Sequence, residues 1–146
     1  MSGFKEASEA GVLMLEEGGN AVDAAITAAF AASASARSSS GLFGTTYIVI
    51  HLADGRDFAI DGTARVPLEL SKDDLATLQA EGRLHGIKVA AVPGTLAALD
   101  HALARYGTKS LAEAMAPTIP AARVSPSGRD NNSRSEDYSV TSIAIA

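Results

Sequence analysis

Cysteine and tryptophan are both absent from this chain of 146 residues. Without a thiol there is no disulfide scaffold, no thiolate zinc site and no cysteine nucleophile. Aromatic residues make up only 5% of the chain, so the core must come from small side chains and closely packed helices. Positive charge is in deficit: 12 Lys and Arg stand against 17 Asp and Glu, a formal net charge of −5. The charges are mixed along the chain and form no basic block, which leaves no electrostatic footprint for nucleic acid or another polyanion. A long apolar run is also missing. The most apolar stretch, Ala21 to Ala36, is short for a membrane span and carries Asp23, Thr27, Ser33 and Ser35. The first residues, Met1 to Glu6, lack the basic-then-apolar layout of a signal peptide. The chain as written is therefore expected to be cytoplasmic, and an upstream leader would make it periplasmic or secreted.

What is present is alanine, which fills roughly a fifth of the chain. The length suits one domain with its own core. Ala7, Ala10, Leu13 and Met14 recur at helical spacing and predict a first helix from Lys5 to Glu17, ended by Gly18-Gly19. Asn20, with Asp23 three residues on, is a short-armed capping box. It opens a second helix over 21–34 that is apolar on nearly every face and so expected to be buried on all sides. A Ser-rich loop follows. Tyr47 to Leu52 and Arg56 to Ile60 read as a hairpin around Asp54-Gly55, the outgoing strand apolar on both faces as in a covered sheet. Ser71 with Asp74 opens a helix that closes near Gly82, and Ile87 to Val92 is a candidate strand. Leu96, Leu99, Leu103 and Tyr106 mark an amphipathic helix ending at Gly107. Ser110 with Glu113 caps another, which Pro117 and Pro120 bend or stop. Residues 125–139 hold almost nothing apolar and cannot offset their ordering entropy, so disorder is expected there. The apolar end, Val140 to Ala146, has no evident partner.

Several of these segments resemble one family. Ala7-Ser8-Glu9-Ala10-Gly11, followed by Leu15 to Ala25 with its Gly-Gly-Asn-Ala-Val-Asp-Ala-Ala run, is similar to the opening signature of gamma-glutamyltranspeptidases. Ser39-Ser40-Gly41-Leu42-Phe43-Gly44 resembles that family's Ser-Ser-Gly loop. Val92-Pro93-Gly94-Thr95, Arg105-Tyr106-Gly107 and Leu111-Ala112-Glu113 leading to Ala116-Pro117 follow in the family's order. The resemblance covers about Ala7 to Arg123 and corresponds to the first part of the large subunit. It implies a partial N-terminal nucleophile hydrolase fold of the α/β (α+β) class, with helices packed on an incomplete, mainly antiparallel sheet. Residues 1–123 would form this fragment, and 124–146 a divergent, disordered tail.

The implied activity is transfer or hydrolysis of gamma-glutamyl amides, typically glutathione. The nucleophile is the N-terminal threonine that self-cleavage of a proenzyme exposes on the small subunit. That threonine would lie outside this chain, so no catalytic residue is expected within it and the chain alone is expected to be inactive. The small subunit is the implied partner, and self-association is expected without it. Two departures stand out. Phe43 occupies a position where glycine is usual. The family's Asp-x-Arg-Glu-x-Ala-Pro stretch reads Asp61-Gly62-Thr63-Ala64-Arg65-Val66-Pro67 here, with Thr63 in the arginine's place and Arg65 two residues on. A shifted arginine occurs in relatives of the oxamate amidohydrolase type, which makes that activity the alternative. A non-catalytic remnant acting only in subunit association is a further one.

The candidate site residues are few. Arg65 is either a carboxylate clamp, since a guanidinium offers a bidentate fork, or a surface arginine after a strand. Ser39, Ser40 and Gly41 could present hydroxyls and backbone N–H groups to substrate, or could pack as a loop beneath the site. Asn20 and Asp23 are assigned to structure. Thr45 and Thr46 superficially resemble a processing site, but the strand pattern that follows them argues against cleavage there. His51, His85 and His101 show no ligand spacing, so no metal is expected, and no cofactor either.

Overall fold

The computed structural model describes residues 2–35, 41–83, 85–86, 89–119 and 142–145. Helices α1 (Lys5–Glu16) and α2 (Ala21–Ser35) are followed by strands β1 (Thr46–His51) and β2 (Asp57–Gly62). Helices α3 (Lys72–Ala80), α4 (Thr95–Tyr106) and α5 (Leu111–Met115) come next. A 3-10 turn (Ala116–Thr118) and strand β3 (Ser142–Ile145) follow.

Local chemistry accounts for most of these boundaries. Gly18, at φ +80°, turns the chain out of α1. The predicted reciprocal cap of α2 forms: the Asn20 side chain accepts from the Val22 and Asp23 N–H groups, and Asp23 accepts from the Asn20 N–H. The capping boxes Ser71–Asp74 and Ser110–Glu113 open α3 and α5. Gly55, at φ +83°, makes the hairpin turn, and β1 and β2 pair antiparallel with Ile48 opposite Ile60 and Ile50 opposite Phe58.

The core lies between one face of this hairpin and a helical layer. Val22, Ile26 and Phe30 of α2, Leu99 and Leu103 of α4, and Ile48 and Ile50 of β1 are buried together, with Ala98, Ala102 and Ala114 filling the gaps. Small side chains let the helices approach. A Cβ on Gly11 of α1 would stand 3.1 Å from the Ala24 carbonyl and 3.4 Å from the Ala28 methyl. Helix α2 is less enclosed than expected: Val22 to Ala24, Ile26, Thr27, Phe30 and Ala31 are buried, but Ala25, Ala28, Ala29 and residues 32–35 are only half-buried.

Four other expectations require correction. The strand expected over Ile87 to Val92 does not form in its described part: Val89 lies in a turn, its N–H donating to the Gly86 carbonyl, and Val92 makes one isolated antiparallel bridge with Arg65. The outgoing strand is covered on one face only. Among the described residues Ile48 and Ile50 are buried against α2 and α4, whereas Tyr47 and Val49, on the other face, are 46% and 52% exposed. On α4, Leu96 faces out; Ala98, Leu99, Ala102 and Leu103 form the buried stripe. Finally, the apolar C-terminal end has a partner. β3 pairs parallel with β1, giving the order β2-β1-β3 and a mixed sheet around the antiparallel hairpin. Residues 120–141, which include most of the expected tail, lie outside the described residues. No helix among the described residues is long and apolar enough to cross a membrane.

Candidate functional site

Three backbone segments meet where β2 ends. A Cβ on Gly62 would stand 2.7 Å from the Ala98 methyl and 2.8 Å from Thr46 Cγ2, so only glycine lets α4 lie this close to the strand. A Cβ on Gly94 would run into the Gly62 carbonyl oxygen for the same reason. Arg65 and Val92 exchange both backbone hydrogen bonds, at 2.9 and 2.7 Å. The Gly94 and Thr95 N–H groups donate to the Gly44 carbonyl at 3.1 and 3.3 Å, and the Ala64 N–H donates to Thr45 Oγ1 at 3.0 Å. The loop before β1, the turn after β2 and the start of α4 are thereby tied into one platform.

On this platform an open cleft of about 370 Å³ is lined by Asp61, Thr63, Arg65, Val92, Gly94 and His101, among others. Arg65 is exposed, and no carboxylate among the described residues lies within ion-pair distance of it. Its backbone is held by two hydrogen bonds while its guanidinium remains available, which is the arrangement a carboxylate clamp requires. Asp61 is also exposed. Its Oδ1 accepts from the Thr63 N–H at 2.9 Å and from the Thr63 hydroxyl, which also lies 3.0 Å from the Tyr47 phenol. These two hydrogen bonds from Thr63, side chain first, hold the Asp61 carboxyl below its ordinary pKa, and the charge of Arg65 adds to them. Asp61 is therefore an anion at neutral pH.

The other expected residues are distributed differently. Ser39 and Ser40 lie outside the described residues. Gly41 is exposed at the start of the loop, and a Cβ there would meet only the Phe43 nitrogen, at 4.0 Å. Thr45 is spent on the Ala64 N–H and Thr46 opens β1 opposite Gly62. His51 pairs with Asp57 across the hairpin, its Nδ1 2.7 Å from Oδ1, in full view of solvent. His85 and His101 are exposed, and no group of three metal-ligating side chains occurs among the described residues. Sequence reasoning missed Asp61 and Thr63 as neighbours of Arg65. The available signal was their i, i+2 spacing, in which an aspartate accepts from the backbone two residues on.

Asp23 does more than cap. It is completely buried, and besides the Asn20 N–H it accepts from the Thr108 N–H, the Thr108 hydroxyl at 2.7 Å and the Lys109 N–H at 3.1 Å. Burial pushes its pKa up, but the Thr108 hydroxyl and the backbone donors of Asn20, Lys109 and Thr108 outweigh that and hold it below the ordinary value. Asn20 Nδ2 adds a donor to the Tyr106 carbonyl at 2.8 Å. The most specific sequence motif thus ties the start of α2 to the link between α4 and α5 and contributes nothing to the cleft. A larger depression, about 560 Å³, lies between Pro67–Leu70 and α3. Of its charged groups, Asp74 caps α3 and Glu81 pairs with Arg83, so it offers no unpartnered cation.

Comparison with known proteins identifies the family. The family model described as gamma-glutamyltranspeptidase matches residues 7–131. The chain is 37% identical over 123 residues to the acylase ACY 1 proenzyme of Pseudomonas sp. strain V22, covering 77% of this chain and 22% of that protein. It is 33% identical over 119 residues to the glutathione hydrolase proenzyme of Pseudomonas sp. strain A14, covering 77% and 20%. Among solved structures it is similar to gamma-glutamyltranspeptidase of Helicobacter pylori, with a TM-score of 0.68 and 36% identity over 82% of this chain and 35% of that one. The chain spans about a fifth of the length of these curated relatives.

Proposed function

The chain belongs to the gamma-glutamyltranspeptidase family, matching the N-terminal region of the large subunit with the corresponding part of an N-terminal nucleophile hydrolase fold, and from that premise we propose that it supplies the carboxylate-clamping part of an acyltransferase or amidohydrolase. The observation that carries the reading is Arg65: an exposed guanidinium free of any carboxylate partner among the described residues, on a backbone tied to Val92, at the rim of a cleft. Arg65 would grip the carboxylate of the acyl donor, and Gly41, with Ser39 and Ser40, would border the same site. The attacking group is an N-terminal threonine outside this chain. It adds to the amide carbonyl and expels the amine, and water or an acceptor amine then releases the acyl group. The isolated chain is inactive in this account.

A small subunit is the partner that would complete the site. The support is the sheet face that no helix among the described residues covers, where Tyr47, Val49 and Ala59 are exposed. An open apolar face of this kind calls for a second layer. A second reading concerns the donor. Thr63 stands where the family's arginine is usual, and the acylase relative, at 37% identity, is somewhat more similar than the glutathione hydrolase, at 33%. Both facts favour an amide donor other than glutathione, of the oxamate amidohydrolase or acylase kind. Titrating the chain with glutarate, followed by backbone NMR shifts, tests the clamp. Shifts at residues 61–65 and 92–94 that vanish in Arg65→Ala are expected, and no binding to the wild-type chain would overturn it.

A further inference from the structure

Of the four phenylalanines, three are covered to some degree. Phe30 lies in the core, Phe58 packs on Tyr106 with ring centroids 5.0 Å apart, and Phe4 is 36% exposed. Phe43 is 89% exposed. The loop that carries it is nevertheless fixed on both sides of the ring. Leu42 packs against the main core, and the Gly44 carbonyl accepts from the Gly94 and Thr95 N–H groups. Thr45 Oγ1 accepts from the Ala64 N–H at 3.0 Å. A phenyl ring held in water forgoes the burial that drives folding, and a ligand that covers the ring restores it.

This loop borders the cleft. Gly94, which donates to Gly44 at 3.1 Å, lines the cleft together with Pro93 and Val92, and Val92 exchanges backbone hydrogen bonds with Arg65. A run of backbone contacts therefore leads from Phe43 along one wall to Arg65. That wall is apolar and open: Val92 is 54% exposed and Pro93 is exposed as well. Single exposed apolar side chains are ordinary on a protein surface. Three along one wall, ending at a guanidinium with no ion-pair partner among the described residues, form an apolar surface with one polar anchor, the usual make-up of a small-molecule site.

We propose that Phe43 is a specificity residue of the cleft and that the ligand it selects is an amphiphilic carboxylate. The carboxylate meets Arg65, and an aromatic or other apolar group a few bonds away meets Phe43, Val92 and Pro93. This rests on the reading of Arg65 as the carboxylate clamp and narrows the acyl donor to amides with an apolar body. Glutathione, polar along its whole length, is a poor match for such a wall.

The matched pair glutaramate and glutaranilate isolates the ring contact, since the two differ only by a phenyl group on the amide nitrogen. Both are titrated into the full chain at pH 7.5 and followed by backbone NMR, with glutarate as the reference for the clamp. Glutaranilate is expected to bind roughly threefold to tenfold tighter than glutaramate, the range for one aromatic pair, with shifts at residues 41–44 and 92–94. In Phe43→Ala the preference should fall to about one while glutaramate affinity is retained, which also shows that the variant is folded. Phe43→Tyr should keep the preference. Equal wild-type affinities for the two amides would overturn the role of Phe43 and leave the Arg65 clamp standing. Glutarate failing to bind the wild-type chain would overturn the clamp itself, and this extension with it. A preference that survives in Phe43→Ala, or phenyl-dependent shifts confined to residues away from the cleft, would overturn the assignment to Phe43. Loss of both amides in Phe43→Ala would overturn it in favour of a structural role for the ring.

Discussion

Replacing Asp23 is the sharpest test of what holds this fold together. Its carboxylate is fully buried and serves four donors: the backbone N–H groups of Asn20, Thr108 and Lys109, and the Thr108 hydroxyl. Truncation to alanine leaves all four without an acceptor in a space too tight for bulk water, since a Cβ on Gly107 would already stand 2.5 Å from Asp23 Oδ1. At about 1 kcal/mol or slightly less for each lost bond, Asp23→Ala should cost ~3–4 kcal/mol, a large part of the stability of an ordinary domain. Asp23→Asn keeps the volume and one acceptor oxygen but turns an NH₂ toward the remaining donors, and should cost about 2 kcal/mol. Urea unfolding followed by circular dichroism reads both. For a urea dependence of about 1.5–2 kcal/mol per molar, the alanine variant should lower the midpoint by roughly 2 M. The acid limb provides an independent reading. Because the folded-state pKa of Asp23 is depressed, its contribution is complete above the unfolded carboxylate pKa of about 3.9 and is lost as pH falls through the folded value. Wild type should therefore lose stability below about pH 4 more steeply than Asp23→Asn. A loss under ~1 kcal/mol in Asp23→Ala would refute the idea that this carboxylate joins the two helical corners.

Gly94→Ala should destabilise by more than ~2 kcal/mol in the same assay, because the added methyl meets the Gly62 and Thr63 carbonyl oxygens, which belong to the backbone and cannot swing away. Ala25→Leu, on the half-buried side of α2 packed against the main core, should overpack it and cost on the order of 1–3 kcal/mol. Arg65→Ala should leave urea stability within about 0.5 kcal/mol of wild type, since the side chain is exposed and has no ion-pair partner among the described residues; a larger loss would assign Arg65 to structure. The chain alone should self-associate through the open sheet face, and Val49→Lys should shift it toward monomer in size-exclusion chromatography with light scattering. A concentration-independent wild-type monomer would contradict that.

What the sequence disclosed were features encoded within a few residues. The caps Asn20–Asp23, Ser71–Asp74 and Ser110–Glu113 each lie within one helical turn, and the Asp54-Gly55 turn is local as well. The Gly-Gly-Asn-Ala-Val-Asp-Ala-Ala run named the family because the motif is long. Features that depend on distant partners stayed hidden. Asp23 reads as a cap, yet its largest task is performed on residues 85 and 86 positions away. The segment before Pro93 has strand-like residues, but a single bridge with Arg65 is all the pairing it makes in the described residues. Tyr47 to Leu52 looks like a strand covered on both faces because apolar character marks the surfaces that are to be covered and does not say what covers them. The pairing of β3 with β1 could not be read from four residues alone, because its partner lies almost a hundred positions away in the chain. At the cleft, Arg65 was legible through its chemistry, while the Asp61–Thr63–Tyr47 chain emerged only when β2 was seen lying beside β1.

The most direct test of the central claim places the chain in the setting of a full-length relative. Residues 7–119 are grafted in place of the matching segment of a full-length glutathione hydrolase relative, self-cleavage is confirmed by the appearance of two subunits, and kcat/KM is measured on a gamma-glutamyl anilide and a glutaryl anilide. The account predicts a processed, active chimera on at least one of the two substrates. In it, Arg65→Ala should lower kcat/KM by roughly 10-fold to 100-fold, mainly through KM, as expected for loss of a charge-assisted bidentate contact. A processed and active chimera whose kcat/KM is indifferent to Arg65→Ala would contradict it.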